Sequence, residues 1–386
     1  MGRYTPLAFF SKLVFLFMLN GLGGCQGDPP SLDPLAQALS SQDPRIRQVM
    51  NEPSPYEIQI RFTRIFREKD SISFQDFDYN VDKDRYFYPA STVKFPIAVM
   101  AAEKLNRLDA LDLNTRFYVE GDTVETTFAR EILKIFAISD NAANNRLFEF
   151  LGQDAINEGF RSKNIGPARF SHRLSVPEAD EITAKPLVIY LNDSTTTLLQ
   201  GSVNTPAKPL LLEGIRKGQG YYEGDSLIRE AFDFSLKNHY PVDTQHGVLK
   251  RMVFPEAFPA GERFALSESQ RAFLLDAMKI LPREAGYDPE EYYDSYGKFL
   301  IFGDKRDPMP ADIRIYNKVG YAYGTLTDCA YVKDIENGVE FMVTATILVN
   351  PNGIFNDNDY AYDEVGIPFL SALGEELYQM ERNRNR

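Results

Sequence analysis

Tyr88-Pro89-Ala90-Ser91-Thr92-Val93-Lys94 is a loop feeding an apolar helical run, with a serine at the helix start and a lysine three residues on. One helical turn brings Ser91 and Lys94 to the same face. A serine hydroxyl is a poor nucleophile until a base takes its proton. A lysine amine can be that base once burial or a neighbouring cation lowers its pKa. At the helix start Ser91 would also offer its own N–H to a developing oxyanion.

A chain of 386 residues holds roughly one Ser-x-x-Lys by chance, and a second copy stands at Ser295-Tyr296-Gly297-Lys298. An N-cap serine followed by a solvated lysine is the ordinary meaning of such a pair. Two later stretches separate the copies: Ser139-Asp140-Asn141, after an apolar helical run, and Lys318-Val319-Gly320, on a strand-like run. Only Ser91 lies upstream of both.

This order resembles the penicillin-recognising serine hydrolases, the class A β-lactamases and penicillin-binding proteins. Asn145, four residues after Asn141, and Leu151-Gly152 at the end of that helix are similar to the class A form, as is Tyr323-Gly324-Thr325-Leu326-Thr327-Asp328 after the third motif. The resemblance covers about residues 45 to 386. It implies that Ser91 becomes acylated, that Lys94 accepts its proton, and that Ser139 and Lys318 pass a proton to the leaving group. Asn141 would bind a substrate amide, and the N–H groups of Ser91 and Tyr321, the residue after Gly320, would form the oxyanion hole. Two lysines at one pocket should depress each other's pKa.

Two positions depart from the family. Val319 stands where the family has Thr or Ser, so the hydroxyl that bonds a substrate carboxylate is missing. One charge-assisted hydrogen bond is worth about 1.5–3 kcal/mol, so affinity for penicillin-like carboxylates is expected to fall roughly ten- to a hundredfold. In the region Arg169 to Glu178, Ser175 occupies the place of the family's water-activating glutamate, two residues after Arg173. Glu178 lies nearby but off register, either as a surface carboxylate or in a shifted water-activating role. Deacylation is therefore expected to be slow.

The elements that must position these residues are legible from periodicity. Tyr56 to Arg67 and Ser71 to Tyr79 read as a hairpin, Ser91 to Arg107 and Val124 to Ile138 as helices. Ile313 to Val319, Cys329 to Val332 and Val339 to Leu348 read as strands, and Val365 to Met380 as a closing helix. Strands at both ends with helices between imply an α+β fold. Its antiparallel sheet, made from the N- and C-terminal segments and flanked by helices, stands beside a largely helical second lobe, with the nucleophile between them. Lys185 to Gly247 and Pro282 to Pro310 read as long inserts. Their tyrosines are expected either to wall the substrate or to cover the lobe.

Arg3 and Lys12 precede the apolar run Leu13 to Leu19, too short to span a bilayer as a helix, and Leu22-Gly23-Gly24-Cys25 follows. Residues 1–24 read as a signal peptide, and the site resembles a bacterial lipobox, which implies lipidation of Cys25 and a membrane anchor on the cell envelope. Residues 25–43, rich in polar residues and proline, read as a flexible tether, and the catalytic unit as 44–386. Cys329 is expected in the core, and His172, His239 and His246 lack metal-ligand spacing, so neither metal nor other cofactor is expected. The net charge of −13 disfavours nucleic acid. The expected partner is a small-molecule or peptidoglycan-type substrate. Activity is expected to be that of a β-lactamase, peptidase or esterase; the competing expectation is a lipid-anchored binding or scaffolding protein of the same fold with little turnover.

Overall fold

The computed structural model describes residues 1–3, 33–69 and 71–384. The chain divides after Leu32, and the features below lie in the compact unit Asp33–Arg386. Nearly all of the signal-peptide expectation, and Cys25 itself, lie outside the described residues.

Five strands form one antiparallel sheet: β1 (Gln59–Glu68), β2 (Ser71–Tyr79), β3 (Ile313–Ala322), β4 (Thr325–Asp334) and β5 (Val339–Leu348), in the order β3-β4-β5-β1-β2. The first hairpin and the three late strands are thus those read from periodicity, with β4 longer than expected at both ends. Ile60, Phe62, Val319, Leu326, Ala330, Val332, Phe341 and Val343 pack on one face with the helices α1 (Pro34–Leu39), α2 (Pro44–Met50) and α9 (Ile367–Asn383). On the other face Ile65, Cys329, Tyr331 and Met342 join the core of the helical lobe. Both faces are covered, so the central strands read as near-continuous apolar runs. Each fully buried large side chain there contributes about 1.5–3 kcal/mol. Edge strand β2 is polar and exposed, and its Asp76 and Asp78 pair with Lys250 and Arg61, which blunts the open edge.

The helical lobe is built on α3 (Lys94–Leu105), buried along nearly its whole length, with α4 (Phe128–Ala137), α5 (Asn141–Leu151) and α6 (Gln153–Ser162) around it. Phe128, Ile132, Ile135 and Phe136 of α4 are buried at helical spacing, and Thr127 caps the helix by accepting from Arg130 N at 3.2 Å. Two further helices, α7 (Val242–Val253) and α8 (Glu268–Lys279), complete this side. The α+β class with an antiparallel sheet and a helical lobe is therefore as expected.

Two expectations need correction. The described part of the segment read as a tether is not flexible: α1 lies within it, with Leu35, Ala38 and Leu39 buried and Asp33 capping its N-terminus at 2.9 Å. With Pro34, these four apolar residues in a polar stretch were enough to fix a short helix against the sheet's cover. The insert 185–247, read as a long loop, contains paired strands. Leu187–Asn192 pairs with Arg116–Val119 and with Thr195–Leu199, and Gly220–Glu223 pairs with Ser226–Ile228 and runs parallel to Ile354–Phe355. Residues Leu210, Leu212, Ile215, Tyr221, Phe232 and Phe234 form an apolar cluster with Tyr86, Tyr88 and Ala90, so this insert buttresses the loop leading to Ser91.

Candidate active site

Ser91 sits in a 3-10 turn, Ala90–Val93, that runs straight into α3. Ala90 just before it is held in a left-handed conformation, φ 48°, at a cost of the order of 1–2 kcal/mol for a residue with a Cβ. The surrounding cluster of aromatic side chains secures that bend. Lys94 begins α3 and is buried; its Nζ donates to Ser139 O and, at 3.3 Å, to Ser139 Oγ. Lys318, also buried, donates from Nζ to the same Ser139 Oγ at 2.9 Å and to Val319 O at 2.8 Å.

The second motif is a helix junction. Ser139, φ 58°, turns the chain between α4 and α5; Asp140 caps α5 by accepting from Ala143 N at 2.6 Å; Asn141 is the first helical residue. A left-handed residue followed by a capping carboxylate leaves the Ser139 hydroxyl free to point at both lysines. Gly320 explains the third motif. A methyl group on it would lie 2.8 Å from Pro89 O and from Ser91 N, so only glycine lets β3 approach the backbone of Ser91 this closely. Tyr321, half exposed, follows on the cleft side.

Burial sets the electrostatics. Desolvation lowers the Lys94 pKa to about 7, against a weaker opposing pull from the Asp140 carboxylate. Lys318 is pushed well below its ordinary value, first by burial and then by the neighbouring Lys94 cation. Asp328, on the adjacent strand, is raised to about 6 by burial, while Asn317 Nδ2 and the amides of Phe299 and Leu300 donate to it. The two lysines are therefore shifted chiefly by desolvation, with mutual repulsion adding to the effect at Lys318.

The second Ser-x-x-Lys is architectural. Ser295 is buried and donates to Lys305 O at 2.6 Å; Lys298 Nζ donates to Met278 O at 2.8 Å and to Asn317 Oδ1 at 2.6 Å. Neither lines the cleft of Ser91.

That cleft, about 600 Å³, is lined by Ser91 and Asn141, by the loop His172–Val176, by Lys237, and by Tyr88, Tyr321, Tyr323, Tyr360 and Tyr362. Lys94 and Lys318 lie buried behind its wall. Asn141 Nδ2 donates to Ser175 Oγ at 3.0 Å, and Asn145 brackets Leu174, donating to its O and accepting from its N, both at 2.9 Å. Arg173 completes the anchor through two bonds to Glu149, at 2.5 and 2.9 Å, and one to Glu181 O at 2.6 Å.

Two sequence expectations change here. Glu178 does not reach the cleft of Ser91; it lines a separate cavity with Asp122, Arg146, Glu149 and Lys185, because the turn after Val176 carries it to the far side of the loop. Val319 does not face the cleft either. On β3 its side chain belongs to the core on the α9 side, while Lys318 and Gly320 face the nucleophile, so strand alternation puts residue 319 out of reach of a substrate. The tyrosines of 282–310 are not among the residues lining the cleft: Tyr287, Tyr292, Tyr293 and Tyr296 pack against one another in tilted and edge-to-face pairs. Lys237, His172 and the wall from Asn356 to Tyr362 had no sequence signal beyond residue type.

Among the described residues no group of His, Cys, Asp and Glu is placed to hold a metal. Cys329 is buried under Thr344 and Gln245, its thiol pushed up to about 12 by burial, a structural residue.

An antiparallel sheet flanked by helices, with a serine at a helix start between the lobes and two buried lysines meeting on a second serine, defines the β-lactamase-like serine hydrolase fold. Residues 45–198, less than half of the chain, match the model of the beta-lactamase enzyme family, and over that stretch the resemblance read from Ser91, Lys94, Ser139 and Asn141 is borne out. Among solved structures, a beta-lactamase from Sphaerobacter thermophilus is 16% identical, with 89% of this chain and 96% of that one covered, at a TM-score of 0.47. A beta-lactamase from Desulfarculus baarsii is 15% identical, with 89% and 98% covered, at 0.48. L2 complexed with relebactam is 14% identical, with 90% and 98% covered, at 0.48. No curated protein matches.

Proposed function

We propose that this protein is a serine hydrolase that forms an acyl-enzyme on Ser91 from a β-lactam, peptide or ester carbonyl. The observation that carries the reading is the convergence of Lys94 and Lys318 on Ser139 Oγ behind the Ser91 cleft. Neutral Lys94 takes the Ser91 proton as Oγ bonds the carbonyl carbon. The proton then passes through the Ser139 hydroxyl to the leaving nitrogen or oxygen as its bond to carbon breaks. Oxyanion stabilisation falls to the Ser91 N–H and to the strand held against it at Gly320, with Tyr321 N–H as the second donor. Arg173 is paired with Glu149, which leaves Lys237 as the cation lining a cleft with no Asp or Glu among its described lining residues, and this favours substrates bearing a carboxylate.

In the same reading the chain is a lipoprotein of the bacterial cell envelope, anchored through Cys25 after the apolar run Leu13 to Leu19. Intact mass measurement after incubation with a β-lactam panel and an activated ester tests the activity. Adducts mapping to Ser91 support it. No adduct with any of them, on a folded protein, removes it and leaves a binding or scaffolding role.

A further inference from the structure

The cleft holds one basic group that the chemistry above does not use. His172 is 7% exposed and lines the cleft with Ser91. Its Nδ1 lies 2.6 Å from Arg173 O; a carbonyl only accepts, so Nδ1 carries the proton and Nε2 carries the lone pair. Nε2 is buried and has no hydrogen-bond partner among the described residues. A buried acceptor left one hydrogen bond short is costly unless a water or a ligand supplies the donor.

The ring is held in place. It stacks parallel to Tyr88, three residues before Ser91, with centroids 6.3 Å apart, and its loop is pinned by Asn145 at Leu174 and by Glu149 at Arg173. Among the described residues no carboxylate lines the cleft, and Glu178 lines a separate cavity. Hydrolysis of an ester on Ser91 needs a base for the incoming water, and His172, a cleft-lining residue, has a buried Nε2 without a partner among the described residues.

We propose that His172 Nε2 seats and deprotonates the water that hydrolyses the Ser91 acyl-enzyme; this rests on the acyl-enzyme reading above. Water gives one proton to Nε2 while its oxygen bonds the acyl carbon. The bond from that carbon to Ser91 Oγ then breaks, the proton returns from Nε2 to Oγ, and the free acid leaves with both residues as they began. Desolvation lowers the imidazole to about 4, aided by the Arg169 and Lys237 cations and opposed by the Arg173 carbonyl and Asp180. The ring is therefore neutral at pH 7 and about as basic as an ordinary glutamate.

The test separates the two half-reactions. Acylation and adduct lifetime are followed by quenched intact mass, with an activated ester and a penicillin, in the unmodified protein, His172→Asn and His172→Ala. Asparagine keeps a donor for Arg173 O and removes Nε2; alanine opens space for added imidazole. Expected are acylation within a few-fold of the unmodified protein, an adduct lifetime at least about 10²-fold longer in both variants, and shortening by imidazole in His172→Ala. An unchanged lifetime in either folded variant overturns the proposal. If both variants misfold, the unmodified protein decides: an adduct stable for hours overturns it, and breakdown of a preformed adduct that slows as pH falls through about 4 supports it. Absence of any adduct in the unmodified protein instead removes the acyl-enzyme reading, and this inference with it.

Discussion

Ser139 Oγ lies 3.3 Å from Lys94 Nζ and 2.9 Å from Lys318 Nζ, so one hydroxyl separates two buried amines. Two ammonium groups so placed repel, and the arrangement is stable only when at least one is neutral. Ser139 is thus both the dielectric spacer of the pair and the route by which a proton can leave it. Lys94 has no hydrogen bond to Ser91 among the described contacts; its amine is held on Ser139, and hydrogen bonds of that kind often tighten only when a ligand is bound.

Removing that hydroxyl is expected to disconnect the route without touching the nucleophile. Ser139→Ala should slow acylation by an activated ester by about 10²-fold or more, while Ser91→Ala abolishes the adduct and Ser295→Ala leaves it intact. Peptide mapping of the adduct checks all three. Adduct formation surviving in Ser91→Ala would place the nucleophile elsewhere.

How much of this was legible beforehand follows from the physics of each signal. Ser91, Lys94, Ser139 and Lys318 could be read because their roles fix residue type and order, β1 and β5 because buried strands need their apolar runs, and β2 because a half-covered edge strand alternates. Glu178 could not be placed, since a shift of two or three residues in an irregular loop decides which side of it a side chain faces. Val319 was misjudged because motif order says nothing about strand alternation. His172 carried no signal at all: a lone histidine acquires meaning only from the carbonyl that fixes its tautomer and the ring that fixes its plane.

The pH dependence of acylation follows from Lys94. Burial lowers its pKa from 10.5 to about 7, and only the neutral amine is a base, so acylation should rise as pH increases through about 7 and fall roughly tenfold per unit below 6. Stability carries the same sign. The unfolded chain keeps the proton up to about 10.4 and the folded one releases it near 7, so this group adds stability as pH rises across that window. A single-turnover pH series measures the first effect and chemical denaturation at several pH values the second. Acylation independent of pH from 5 to 9 would show that Lys94 is not the base.

Val319 faces the α9-side core, and a hydroxyl there meets apolar neighbours. Val319→Thr should lower stability by about 1–3 kcal/mol for an unsatisfied buried group and give no gain in acylation by carboxylate-bearing β-lactams over a neutral ester. Denaturation midpoints and paired acylation rates decide it. A selective gain for the carboxylate substrate would mean that β3 shifts to present residue 319 to the cleft.

The envelope anchor is checked apart from the chemistry. Cys25→Ser should release the protein from membranes and leave the melting temperature of the domain from Asp33 unchanged, since the lipid would be joined ahead of the packed helix α1. Fractionation after expression in a bacterial host reads this. Continued membrane association of the variant would rule out Cys25 as the attachment point.

Gly320 gives the sharpest steric prediction. Its missing side chain lets β3 lie against the turn that carries Ser91, and a Cβ there would meet Pro89 O and Ser91 N at 2.8 Å and Thr92 N at 2.9 Å. All three are backbone atoms of the nucleophile's turn, so relief requires moving either the strand or the turn by several tenths of an ångström. The strand is tied across ten residue pairs to β4, so the turn, already strained at Ala90, is expected to yield. Displacing a nucleophile and its oxyanion donor costs reaction geometry far more than it costs folding. Gly320→Ala should therefore reduce acylation by about 10²-fold while the protein still unfolds cooperatively, and Gly320→Val should go further in both respects. Acylation unchanged in Gly320→Ala would show that the strand moves away instead, and that contact at residue 320 does not set the position of Ser91.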